Sequence, residues 1–294
     1  MMQDIINREG KDDSSYSFDI NRIRRYKINE MYTSFVTHKI SILLIKSGNF
    51  KIEVQEIILN LIAHDIIIIP ENSICVQLDS SRKLEMYIIS FTSGFAFKNF
   101  IKKEIIGLLY LFMKRNALLI GLNETHFLLL SLISKLICLV KNESENTDIE
   151  KELKKIGIDF FFYELAIVCS KYRTENNLDF SNKDSLILHL LLLLSNKGIK
   201  KHTANFYAES LCVTLGYLNK IVKQKTGRTI KALIAEIIIV EAKKMLSEYE
   251  VSITIVSQNL EFSNVSAFST FFKKHTLISP SEYRSYRIAK IKNK

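Results

Sequence analysis

FYAESLCVTLGYLNKIVKQKTG, from Phe206 to Gly227, and ITIVSQNLEFSNVSAFSTFFKKHTLISPSEYR, from Ile253 to Arg284, are two copies of one pattern. Leu211 falls on Leu260 and Lys223 on Lys273, so the second copy is one residue longer at its turn. Each copy reads as a short apolar-periodic helix, a turn ending in Thr214 or Ser263-Asn264, and a longer helix rich in Ser, Asn and Lys. A short helix, a tight turn and a second helix with a polar outer face is the layout that places one helix in the DNA major groove. The long helix expected over Thr229–Leu246 joins the copies and spans about 27 Å. That is close to the ~34 Å turn of duplex DNA, so two recognition helices can enter successive major grooves on one side.

The charge distribution points the same way. The 294 residues carry a net charge of +10. Residues 183–294 hold 18 Lys and Arg against 8 Asp and Glu, and residues 1–182 hold 23 against 23. The whole excess lies on the part with the repeat, which implies a polyanionic partner, double-stranded DNA. Four cysteines (Cys75, Cys138, Cys169, Cys212) stand far apart without a CxxC pair. This spacing opposes structural zinc and a disulfide framework, and fits a reducing cytoplasm. The charged stretch MMQDIINREGKDDSS lacks the apolar core of a secretion signal. The run Leu186–Leu194 is too short for a bilayer span, which needs ~20 apolar residues. The expectation is a cytoplasmic protein with no membrane association.

Outward from the repeat, residues 16–92 read as β. The runs Ile40–Ile45, Phe50–Val54, Ile57–Leu61, Ile66–Ile69 and Met86–Phe91 are separated by turn signals at Ser47-Gly48-Asn49, His64-Asp65, Pro70–Ser73 and Asp79–Ser81. Short strands at close spacing suggest a small barrel or sandwich. From Gly94 to Arg173 the period is helical, clearest over Phe127–Val140 and Ile149–Tyr172, with Lys141–Asp148 between them. Both helices carry more apolar residues than one stripe needs, which predicts a second subunit against them. The polar stretch Thr174–Lys183 is the linker candidate. A helix over Asp184–Ser195 follows, with Ser181 or Asn182 before it and Lys197-Gly198 ending it. The expected organisation is a β barrel with helices from about residue 95 (1–175), a linker (176–182) and an all-helical domain (183–294). The fold class is α+β in two domains.

In the first unit Ala208, Leu211, Tyr217, Leu218, Ile221 and Val222 are expected inward, leaving Leu215, Gly216, Asn219, Lys220 and Lys223 outside. In the second, Phe268, Phe271 and Phe272 form the apolar stripe, leaving Val265, Ser266, Ser269, Thr270 and Lys273 outside. Asn pairs with adenine, and Lys with guanine or phosphate. Asn219 and Lys220 are the first candidates for base contact, then Gly216, Ser266, Ser269 and Thr270. Phosphate contacts fall to Thr214, Lys223, Lys225, Lys273, Lys274, Arg284 and Arg287. A solvated face of an ordinary helical bundle is the bland alternative for either unit alone.

These residues resemble the DNA-binding domain of the AraC/XylS transcription regulators over residues 183–287. The first unit's pattern appears as Ala208, Thr214, Leu218, Lys223 and Thr226-Gly227, and the joining helix ends in Glu241–Leu246. The second unit's signature appears as Glu261-Phe262-Ser263, Phe268, Phe272-Lys273, Pro280 and Tyr283-Arg284. The chain departs from the family at Ile238, where an Arg is common, at Leu277, where a Gly is common, and at Gly216, where a larger reader often stands. LIAHDIIIIPENS, Leu61–Ser73, resembles the strand–turn–strand of a cupin-type sensor barrel, with His64 where Gly is common. The resemblance implies a transcription regulator whose N-terminal barrel is either a small-molecule sensor or a scaffold without a ligand. An activator working through RNA polymerase is one expectation, a repressor the other, and the homodimer is expected from the apolar excess of the two helices. Periodicity itself says nothing about the effector, the operator or the sign of regulation.

Nothing in the sequence points to catalysis. There is no P-loop, GxSxG or GxGxxG, and His38 and His64 stand too far apart for the HxH ligand set of a catalytic cupin. No cofactor and no metal are expected. The competing readings are a nonspecific architectural DNA binder, and a cupin-like metalloenzyme with a DNA-binding tail.

Overall fold

The computed structural model describes residues 17–24, 34–100, 105–114, 116–141, 147–176, 181–196, 203–247 and 251–292. Two compact units divide between Ser181 and Asn182, with residues 97–103 belonging to the second.

The first unit is built from nine described strands: β1 (Phe18–Arg24), β2 (Ser34–Val36), β3 (Ile40–Ser47), β4 (Phe50–Val54), β5 (Ile57–Leu61), β6 (Asp65–Ile69), β7 (Ile74–Ser80), β8 (Glu85–Phe91) and β9 (Leu118–Gly121). They form two antiparallel sheets, ordered β1-β8-β3-β6-β9 and β2-β7-β4-β5. Alternate residues of both sheets meet in one core. Leu43, Ile45, Ile67, Ile69, Met86 and Ile88 come from the larger sheet, and Phe35, Phe50, Ile52, Val54, Leu61 and Cys75 from the smaller. The period of two along each strand puts one face inward, and β-branched residues fill it.

Two turns fix register. Gly48 has φ +79, and a Cβ there would lie 2.7 Å from the Leu84 backbone nitrogen, so only glycine fits. Between β4 and β5 the two-residue turn Gln55-Glu56 has positive φ at both positions, 51° and 68°. That is the type I′ geometry that matches strand twist, made here without Asn or Gly.

Before residue 182 the described residues also form four helices: α1 (Ser93–Phe100), whose residues from Phe97 on belong to the second unit, α2 (Ile106–Met113), α3 (Glu124–Lys141) and α4 (Asp148–Glu175). The helical reading of 94–173 is corrected at β9, which pairs with β6 from Asp65↔Gly121 to Ile68↔Leu118. A four-residue apolar run has no period that separates strand from helix. Thr147 and Glu150 form a reciprocal capping box at the start of α4. α3 and α4 are tied by His126, whose Nδ1 lies 2.5 Å from Glu164 Oε1, while Lys171 Nζ is 3.1 Å from its Nε2. His64, at the turn expected to hold Gly, has φ 74 and stacks on Phe127 with ring centroids 4.0 Å apart. Burial pushes the Cys75 and Cys169 thiols up to about 12, which leaves both unreactive near neutral pH.

The second unit is helical: α5 (Asn182–Asn196), α6 (Ala204–Ser210), α7 (Leu215–Thr226), α8 (Ile230–Leu246), α9 (Ile253–Asn259), α10 (Val265–Thr276) and α11 (Pro280–Lys292). Lys197-Gly198, most of the 176–182 linker and most of the Lys141–Asp148 connector lie outside the described residues. Apolar on nearly every face, α8 buries Ile230, Leu233, Ile234, Ile237, Ile238 and Leu246. It packs against α6 and α7 on one side of the repeat and against α9, α10 and α11 on the other. A helix apolar all round belongs in a core. Ile238, standing where the family often has Arg, is one of its fully buried positions.

Candidate nucleic-acid interface

The sequence repeat is reproduced hydrogen bond by hydrogen bond. At the turn after α6, Leu211 ends the helix, Cys212 takes φ 54, and Val213 N–H donates to Ala208 O at 3.0 Å. At the turn after α9, Leu260 ends the helix, Glu261 takes φ 54, and Phe262 N–H donates to Ser257 O at 3.0 Å. Ser263 is the extra residue of the second turn. Beyond it Thr214 Oγ1 accepts from Tyr217 N–H, and Asn264 Oδ1 from Ala267 N–H. These N-caps fix where each second helix starts. At the far ends Thr226 and Thr276 donate to Val222 O and Phe272 O, both at 2.8 Å. Gly227 and Leu277 then close the helices in the left-handed conformation, at φ 75 and 69.

Leu277 does this at a cost. A left-handed conformation strains a residue with a Cβ, and this side chain is 85% exposed, so no packing offsets the strain. Leu277→Gly is expected to raise stability by about 1 kcal/mol in denaturant unfolding, net of the glycine's greater unfolded-state entropy.

Small residues and a shared core hold the units together. Tyr207, Ala208, Leu218, Ile221 and Val222 are buried in the first, and Val256, Ser257, Leu260, Phe268, Phe272 and Tyr283 in the second. The outer stripe of α7 comprises Gly216, Tyr217, Lys220, Lys223 and Gln224; on α10, Ser266, Thr270, Lys273 and Lys274 are exposed. From the N-caps onward the copies are offset by fifty residues, so Gly216 matches Ser266, Lys220 matches Thr270 and Lys223 matches Lys273. Each second helix thus shows small or polar side chains at its start and lysines toward its end. Partial desolvation and the charge of Lys274 lower the pKa of the exposed His275 below the ordinary histidine range.

The expected contact residues separate into two groups. Gly216, Lys220, Ser266 and Thr270 are exposed, as are Lys223, Lys273, Lys274 and the capping Thr214. Ser269 is half-buried, as are Leu215, Val265 and Phe271. Asn219 turns toward the start of α8, where its Oδ1 accepts from Ile230 N–H at 3.4 Å. Lys225 Nζ pairs with Asp184 Oδ1 of α5 at 2.7 Å, so the fold claims its charge. Arg284 also turns inward: its Nη2 donates to Val251 O at 2.6 Å and its Nε to Leu246 O at 3.4 Å. These bonds close the end of α8. Arg287 lies in α11, its side chain outside the described residues. Two outward residues were missed. Tyr217, expected inward, is 44% exposed, and Gln224 completes the stripe one residue after Lys223.

Arg284→Ala is therefore expected to lower stability by about 2 kcal/mol, through two lost charge-assisted hydrogen bonds. The slope of log affinity against log salt for DNA should not change. A slope shallower by about one would return Arg284 to the phosphates.

Residues 207–286 match the Helix-turn-helix domain family. The second unit is an AraC/XylS-type helix-turn-helix domain. Among proteins similar to the chain are the HTH-type transcriptional activator RhaS of Escherichia coli O1:K1, 24% identical over 155 residues, which is 53% of this chain and 54% of RhaS. The HTH-type transcriptional regulator YobQ of Bacillus subtilis is 38% identical over 69 residues, 24% of this chain and 29% of YobQ. The chain spans about half the length of the RhaS proteins that it matches. Among solved structures, apo ToxT from Vibrio cholerae is 17% identical over 94% of this chain and 98% of its own, with a TM-score of 0.37. The C-terminal domain of the response regulator yesN from Fusobacterium nucleatum is 25% identical over 35% of this chain and 99% of its own, with a TM-score of 0.32. Among the described residues no helix is long and apolar enough to cross a membrane, and no three His, Cys, Asp or Glu side chains group as metal ligands. The AraC/XylS-type domain thus presents two matched helices on one shared core, each with its polar face exposed.

Proposed function

We propose that the chain is a sequence-specific transcription regulator reading two adjacent major-groove segments of double-stranded DNA through α7 and α10. The observation that carries this reading is the matched pair of capped second helices, each showing lysines outward on the only net-basic part of the chain. Base contact falls to Lys220 and Asn219, with Gly216, Ser266, Ser269 and Thr270 around them. Asn219 Oδ1 already accepts one bond from Ile230 N–H, which leaves its amide N–H groups and one lone pair for the groove. Thr214, Lys223, Lys273, Lys274 and Arg287 meet phosphates. At seventeen residues, α8 is about 25 Å long, which suits recognition helices in successive grooves.

The same proposal divides the chain into a sensor and dimerisation part (1–175), a linker (176–182) and the DNA-binding part (183–294). It is cytoplasmic, non-enzymatic and homodimeric. RhaS is a transcriptional activator by name, and activation through RNA polymerase is the sense we propose here. A small effector would act through the N-terminal sheets. Dimerisation rests on α4, where Ile149, Leu153, Ile156, Phe160, Tyr163 and Ile167 recur at alternating spacings of four and three and are 39–81% exposed. That 3.5-residue repeat is the seam of a two-helix contact.

Lys220→Ala tests the readout. It should weaken binding to the selected site by about 1–3 kcal/mol and relax preference at one base pair. An equal loss on random duplex would assign Lys220 to phosphate, and would favour an architectural binder held by charge alone.

A further inference from the structure

We infer that Tyr217 is a base-reading side chain of the first unit, its ring set against the 5-methyl group of a thymine, and that Gly216 leaves room for the groove edge beside it. This rests on the tandem readout proposed above and names a contact that the sequence placed inside the protein.

Four observations converge. First, the opening turn of a recognition helix is the part that meets base edges. In that turn of α7, Leu215 is half-buried, Gly216 has no side chain and Leu218 is buried, so Tyr217 is the large side chain facing out. Second, the internal repeat shows that the scaffold does not need the ring. Fifty residues on, the matching position is Ala267, half-buried behind the same kind of N-cap. An aromatic side chain that its own duplicate replaces with alanine is not there for the fold. Third, Asn219, the residue type best suited to reading adenine, is half-buried and its carbonyl is turned to Ile230 N–H at 3.4 Å, so it is less available to the groove than Tyr217.

The fourth observation concerns Gly216. A Cβ there would meet nothing within 4 Å, and the matching residue of the second unit is Ser266. No close approach within the protein requires glycine, and glycine weakens a helix. A glycine that the fold does not ask for is explained by a close approach from outside. The ring chemistry selects the base. Tyr offers a rigid apolar face with two side-chain torsions to fix, and thymine is the base that carries a methyl group into the major groove. The phenol hydroxyl keeps a donor and an acceptor for a neighbouring phosphate or water.

The test uses the full chain and a duplex recovered by selection from a random library. Thymines in the block bound by the first unit are replaced one at a time by uracil, which removes the methyl group alone. One replacement should weaken the unsubstituted protein about fivefold. Tyr217→Phe should retain that sensitivity. Tyr217→Ala should lose it, binding the all-thymine site about fivefold more weakly and random duplex as before. Gly216→Ala should raise the melting temperature and weaken the selected site. Tyr217→Ala that remains sensitive to the methyl group, or that weakens selected and random duplex alike, overturns the assignment. Gly216→Ala that binds the selected site undiminished overturns the role of glycine. An unsubstituted protein that selects no motif overturns tandem readout, and the assignment with it.

Discussion

Phe272→Ala is expected to lower the stability of the helical unit by ~3–5 kcal/mol. Phe272 is fully buried, with its ring 5.8 Å from Phe268 and 5.7 Å from Tyr283. Removing it costs the transfer of a whole aromatic side chain and leaves a cavity between α10 and α11 that the rings around it fill only in part. Stabilities of whole domains are about 5–15 kcal/mol, so this one change removes a large fraction. Binding should suffer through geometry, because the ring contact with Tyr283 joins α10 to α11. The second block of the DNA motif should weaken while the first survives. Denaturant unfolding measures the effect directly, with exposed Lys274→Ala as the comparison, expected within about 0.5 kcal/mol of the parent. A Phe272→Ala protein less than about 1 kcal/mol below the parent would mean that the packing around α10 is not what holds the second unit together.

The second large effect concerns assembly. Replacing Ile156 and Phe160 together by Asp should convert a micromolar dimer into a monomer. Both sit mid-way along the outward stripe of α4. Each apolar side chain buried by a partner is worth about 1.5–3 kcal/mol, and two carboxylates in their place would face their own copies. The pair should therefore weaken association by at least ~4 kcal/mol, about a thousandfold in Kd. Because both side chains already face outward, the circular dichroism spectrum should not change. Sedimentation separates the outcomes, and an unsubstituted chain that is monomeric at micromolar concentration contradicts the dimer outright.

The helical unit was readable because it is written twice. Capping residues, small turn residues and buried aromatics recur at matched positions, so each copy checks the other, and helix ends fall within a residue or two of the expected ones. The strands expected from runs of Ile, Val and Phe are also present, and Gly48 marks a turn that no other residue can make. What was missed depends on distant partners or on weak local signals. β9 is a strand because β6 pairs with it, and its Leu-Leu-Ile run alone does not say so. The Gln55-Glu56 turn has neither Asn nor Gly to announce its positive φ.

Three candidate site residues have internal partners that local sequence does not announce. Lys225 and Arg284 look like free cations until the chain brings Asp184 and the Leu246 and Val251 carbonyls to them. Asn219 looks like a reader until α8 starts beside it. Tyr217 was read as core because aromatics usually are; the spacing from Gly216 through Lys220 to Gln224 was the signal that could have placed it outside.

Selection of bound sites from a random duplex library, with the full chain at physiological salt, tests the central claim most directly. Two matched recognition helices predict a recovered motif of two short blocks centred about one helical turn, ~10 base pairs, apart. Tight binding that enriches no sequence would contradict readout by either helix and leave a protein held to DNA by its phosphate contacts alone.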